Sequence, residues 1–235
     1  MNAALLLHGF ATSNSDFLSI MPFLEKRYDA IFLDNLPGHG DNGNLNQFTV
    51  LNVIDYVNKK FDEIKKEHEK VDVYGYSMGG VLATYLASNK DVNRVILLAP
   101  ANKYINARVF AQKIKTEFDI ITNKNDERSK VLRENNRIGI DVVFNELVPR
   151  YNVHTISTFI SLVRVCNDSL KENNVKTLLV RGDMDELVPP SSSAYIKKYF
   201  HNMEERIIPD LGHLMLKSRN YRLIINEIKN FLDED

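Results

Sequence analysis

The sequence predicts an α/β layer fold with a mainly parallel sheet, and three observations lead there. Short apolar runs recur along the 235 residues, each closed by turn residues. They lack the polar/apolar alternation of a sheet with one wet face, so they read as strands buried on both sides. Stretches of helical period separate them, as crossovers between parallel strands require.

The strands fall at residues 3–7, 30–33, 71–74, 92–98, 175–180 and 205–208. Helical patterns occupy 16–26, 49–69, 81–88, 191–199 and 220–232, with Thr49 and Ser191 as expected N-caps. In the longest, Leu51, Ile54, Val57, Phe61 and Ile64 recur along one side. One interval breaks the rhythm. From 101 to 174 no strand signal appears, yet Val109, Phe110, Ile114 and Phe118, and later Ile156, Phe159, Ile160 and Val163, keep helical spacing. The expectation is a core of 1–100 and 175–235 with a helical subdomain, 101–174, inserted in it.

Composition narrows the function classes. Thirty Lys and Arg against 31 Asp and Glu leave a net charge of −1, so no global basic field favours nucleic acid or anionic lipid. Cys166 is the single cysteine, so there is no internal disulfide and no Cys/His cluster for zinc. Residues 1–9 are too short for a signal h-region and lack a basic start, and no run approaches the roughly 18 apolar residues of a membrane span. A cytoplasmic protein without stable membrane insertion is expected.

Residues 75–80, Gly-Tyr-Ser-Met-Gly-Gly, lie between a strand and a helix. That context matches a nucleophile elbow, a turn so sharp that a β-carbon on either flanking residue would strike its neighbours. The stretch lacks the Lys-Ser/Thr ending of a phosphate loop and the spacing of the dinucleotide fingerprint. Serine is a weak nucleophile unless a base takes its proton, and the base needs an orienting carboxylate. Both would lie downstream at strand ends. After the fifth strand comes Gly182-Asp183-Met184-Asp185-Glu186, and after the sixth Asp210-Leu211-Gly212-His213. Ser77, Asp185 and His213 would then meet outside the carboxyl edge of the sheet. Asp183 and Glu186 compete with Asp185 for the role of the acid, and Asp183 could instead bond to the loop backbone. Asp210 shapes the turn before His213. His68 and His201 read as surface residues, His154 as solvated or structural, and His39 as a loop-ordering residue. The oxyanion of acyl transfer needs N–H donors; Met78, opening the helix, and Phe10, ending the first strand, supply the candidates.

These motifs together resemble the α/β-hydrolase superfamily over nearly the whole chain: His8-Gly9-Phe10, the 36–40 Leu-Pro-Gly-His-Gly run, the serine elbow, the 182–189 acid loop and Gly212-His213, in the family's order. The resemblance implies Ser77 as nucleophile, His213 as base, Asp185 as orienter, an oxyanion hole of Phe10 and Met78, and a cap made by 101–174. Many members carry an antiparallel hairpin before the first matching strand, whereas this sequence begins almost at that strand. A sheet of about six strands is expected, with an edge left for a partner to cover, in a homodimer.

Serine at the elbow and the absence of Trp set aside dehalogenases, epoxide hydrolases and perhydrolases, and Met78 sets aside proline iminopeptidases. The length and motifs are most similar to small bacterial carboxylesterases and monoacylglycerol-lipase-like enzymes. That implies a small-molecule ester substrate of short-to-medium acyl chain, and no metal or organic cofactor. Phe110, Phe118, Phe144, Tyr151 and Phe159 would give the cap an apolar character. Lyases of menaquinone biosynthesis share the elbow but generally have an arginine where this chain has Val81; Arg108, Arg133, Arg137 or Arg164 would have to substitute. The same residues could also serve a thioesterase, and the same scaffold a ligand receptor.

Overall fold

A computed structural model describes residues 2–40, 43–103 and 153–234. Six strands form one all-parallel sheet: β1 (Asn2–Leu7), β2 (Ala30–Phe32), β3 (Lys70–Tyr76), β4 (Arg94–Leu98), β5 (Lys176–Gly182) and β6 (Met203–Ile208). Their order is β2-β1-β3-β4-β5-β6. The chain steps outward once, from β1 to β2, then crosses back and runs the other way. The order therefore reverses between β1 and β3, where open α/β sheets form their crevice.

Helices cover both faces: α1 (Met21–Leu24), α2 (Val50–Glu67), α3 (Met78–Asn89), α4 (Val153–Asp168), α5 (Ser191–Ile196) and α6 (Tyr221–Asp233) among the described residues. Alternate strand residues point to opposite sides. Leu5, Leu7, Val73 and Leu97 join Phe61, Leu82, Leu162 and Ile196 in one core. Leu6, Tyr74, Ile96 and Val180 join Phe17, Leu24, Ile228 and Phe231 in the other.

Several local expectations need correction. The 16–26 helix is a 3-10 turn, Asn14–Phe17, followed by α1, because Pro22 fits only a first helical turn. On α2 the buried stripe is Val53, Val57, Phe61 and Ile64, while Leu51 is 68% exposed. Thr49 caps α2 as expected, accepting the Asn52 N–H at 3.2 Å. Ser191 does not cap α5: Pro190 holds that position without a side-chain bond. His68 is not a surface residue. It ends α2 and is 8% exposed, with its ring 5.8 Å from Phe32 on the edge strand.

Of the 101–174 interval, 104–152 lies outside the described residues, and with it Arg108, Phe110, Phe118, Arg133, Arg137, Phe144 and Tyr151. Its described flanks are tied down. Asn102 and Asn167 exchange hydrogen bonds at 2.9 and 2.7 Å, and the Ser192 hydroxyl donates to Pro100 O. Phe159, Leu162, Val163 and Cys166 of α4 sink into the first core.

Candidate active site

Because every strand is parallel, all the carboxyl ends lie along one edge, and the loops after β1, β3, β5 and β6 converge there. The loop after β3 is the elbow. Ser77 has φ 54° and ψ −111°, a conformation that L side chains rarely adopt and that costs of order 1–3 kcal/mol. The glycines permit it. A β-carbon on Gly79 would lie 1.8 Å from Leu7 O, and one on Gly75 2.3 Å from Gly79 O. Among described non-glycine residues, positive φ occurs at Ala11, Ser77, Ala99 and Asp210, each just beyond a strand's carboxyl end. Backbone strain is gathered at the site edge.

The three distant side chains come together. Ser77 Oγ lies 3.0 Å from His213 Nε2, and His213 Nδ1 lies 2.9 Å from Asp185 Oδ2. With the ring neutral, Nδ1–H donates to Asp185 and Nε2 accepts the serine proton. Asp185 is itself anchored, since its Oδ1 accepts the Leu187 and Val188 N–H groups at 2.9 and 2.8 Å. The backbone bonds expected of Asp183 thus belong to Asp185, and Asp183 is exposed.

Glu186 takes a third position. Its Oε2 accepts the His213 backbone N–H at 2.9 Å. Burial, helped by the neighbouring Asp185 charge, pushes its carboxyl up to about 7. For His213, burial opposes the imidazolium, but the charge and hydrogen bond of Asp185, with Glu186 and Asp16 behind them, win and leave the ring's pKa above its ordinary 6.5. Tyr76 supports the same residue from below: its hydroxyl donates to His213 O at 2.9 Å and its ring stacks on the imidazole at 5.6 Å.

At the end of β1, His8 is fully buried. Its Nδ1–H donates to Gly9 O at 2.8 Å and its Nε2 accepts the Leu36 N–H at 2.9 Å. That pair of bonds fits the neutral ring, and burial pushes its pKa below 6.5. The next ring, Phe10, stacks on Phe159 of α4 at 5.0 Å. Met78 opens α3 directly after Ser77, so its N–H belongs to the positive end of that helix dipole. His39 donates Nδ1–H to Pro37 O at 3.0 Å and meets the Phe48 ring edge-on, as a loop-ordering residue should. His154 and His201 are exposed. Asp210 turns the chain with φ 56°. Val81 is buried in α3 and Arg164 is exposed on α4. No group of His, Cys, Asp and Glu among the described residues could hold a metal ion.

Sequence reasoning missed Tyr76 and Asp16 as parts of this network and named Glu186 only as a rival acid. Of the two missed, only Tyr76 had a visible signal, since it adjoins Ser77 in the chain.

The chain belongs to the alpha/beta hydrolase fold family, which matches residues 3–219. Among its relatives, a Mycoplasma pneumoniae protein named "Putative esterase/lipase 2" is 30% identical over 97% of this chain and 88% of its own length. Monoacylglycerol lipase ABHD6 of Mus musculus is 24% identical over 92% of this chain and 71% of its own. Among solved structures, a metagenome-derived lipolytic enzyme of the LipS and LipT pair superposes with a TM-score of 0.73 at 18% identity, covering 100% of this chain and 94% of that one. A lipase-esterase related protein from Clostridium acetobutylicum gives 0.68 at 24% identity, over 98% and 94%. These structural likenesses bear on the fold alone.

Proposed function

We propose that the protein is a serine hydrolase that cleaves carboxylic esters of short-to-medium acyl chain through an acyl-enzyme. The observation that carries this reading is the unbroken relay of 3.0 and 2.9 Å from Ser77 Oγ through His213 to Asp185. The names of the relatives, esterase/lipase and monoacylglycerol lipase, favour the same chemistry.

Ser77 Oγ attacks the ester carbonyl carbon while His213 Nε2 takes its proton, and Asp185 stabilises the imidazolium that forms. The carbonyl electron pair moves onto oxygen, where the Phe10 and Met78 N–H groups receive it. Collapse expels the alcohol, which leaves with the proton from His213. A water then gives its proton to Nε2 and attacks the acyl carbon; the acid departs and Ser77 is restored. The reaction requires no cofactor.

Chromogenic esters from acetyl to palmitoyl, assayed on wild type, Ser77→Ala, His213→Ala and Asp185→Asn, test the reading. A short-to-medium optimum is expected, with rate losses of several orders of magnitude for the serine and histidine variants. Equal hydrolysis by all four proteins would overturn it.

A further inference from the structure

We propose that Asp16 is a positioning residue for this reaction: it fixes the Gly9–Phe10 oxyanion loop and ties it, through Lys217, to the segment that carries His213. The proposal rests on the ester-hydrolase reading above and adds a residue that neither the nucleophile motif nor the acid loop contains.

Asp16 is 1% exposed and lies in the 3-10 turn after β1. Its Oδ2 accepts the Gly9 N–H at 3.3 Å and faces the Thr12 hydroxyl. Thr12 Oγ1 is also 2.9 Å from Gly9 O, so its single proton serves one acceptor at a time. Asp16 Oδ1 faces Lys217 Nζ at 3.1 Å, an ion pair without the alignment of a hydrogen bond. Lys217 stands four residues after His213, in the turn Met215–Lys217. The Ser19 hydroxyl donates to Leu216 O at 2.6 Å and joins the same two segments a second time.

Peptide geometry turns these contacts into aim. The Gly9 carbonyl and the Phe10 N–H belong to one planar trans unit and point in opposite directions. Holding Gly9 O, through the His8 Nδ1–H, therefore directs the Phe10 N–H, while Asp16 takes the Gly9 amide on the other side and keeps the Thr12 hydroxyl beside Gly9 O. A buried ion pair is a poor way to gain stability alone, because desolvation offsets most of its attraction. Here it sets the oxyanion donor and the base in one frame.

Steady-state kinetics on p-nitrophenyl butyrate, with affinity for a butyl trifluoromethyl ketone that forms a tetrahedral oxyanion on serine, tests this in the full chain. Asp16→Asn should lower kcat about 10- to 100-fold and weaken the ketone by a similar factor, with KM within about 2-fold, since donors mis-set by a fraction of an ångström act on the transition state. Lys217→Met should move both quantities the same way by less, and Lys217→Arg should recover most of the rate. A folded Asp16→Asn protein with kcat within about 2-fold of wild type, or a loss of rate that only follows the folded fraction in a melting curve, would overturn the proposal. Where Asp16→Asn does not fold, Thr12→Val decides by the same criteria. If the wild type is inert, or Ser77→Ala retains the wild-type rate, the ester-hydrolase reading fails instead; Ser77-dependent turnover indifferent to Asp16 sinks this inference alone.

Discussion

Comparing Ser77→Gly with Ser77→Ala isolates the strain at the elbow. Both variants lose the hydroxyl and its 3.0 Å contact with His213, so that loss cancels between them. What differs is one methyl group on a backbone at φ 54°, ψ −111°. The mirror image of that conformation lies in the ordinary extended region, so glycine enters it freely while an L side chain there costs of order 1–3 kcal/mol. Glycine's greater freedom in the unfolded chain offsets roughly 0.5–1 kcal/mol of that advantage. The glycine variant should therefore be the more stable by about 1 kcal/mol. For a chain of this size that corresponds to about 2–4 °C in melting temperature. Calorimetry and urea denaturation on the two variants measure it directly. A glycine variant that melts below the alanine variant would refute the assignment of strain to residue 77.

Other outcomes follow from the same geometry. Asp185→Asn should keep the fold and lose about 10³- to 10⁴-fold in kcat, because an amide in place of the carboxylate no longer holds the Nδ1–H tautomer; stopped-flow acylation rates measure it. Nucleophilic attack needs neutral His213, whose pKa lies above 6.5, so kcat/KM should fall as pH drops through a midpoint above that value. Glu186→Gln removes a negative charge that favours the imidazolium and should move this acid limb to lower pH; an unmoved limb would contradict the coupling. Gly79→Ala puts a β-carbon 1.8 Å from a backbone carbonyl of β1, and should cost more than about 3 kcal/mol or prevent folding, as a denaturation curve would register.

Much of this architecture could be read from sequence because its signals are local. Six apolar runs marked all six strands, and the glycines around Ser77 announced a turn that closes only without β-carbons. Boundaries shifted where tertiary contact overrode periodicity. Leu51 has helical spacing yet faces water, whereas His68, polar and near a helix end, is covered by Phe32. Asp185 and His213 could be placed by their distance from predicted strand ends, and it is Asp185, not Asp183, that meets the His213 ring, held by two loop amides that no sequence pattern encodes. Asp16 stayed hidden for a related reason: its partners, Gly9 and Lys217, are separated by more than 200 residues and meet only after the sheet has formed.

Covalent trapping bears most directly on the central claim. Incubating the purified protein with a fluorophosphonate and mapping the adduct by tandem mass spectrometry should find one phosphonyl group per chain, on Ser77, and none in Ser77→Ala. An unlabelled wild type, or an adduct on another residue that persists in the alanine variant, would contradict the account.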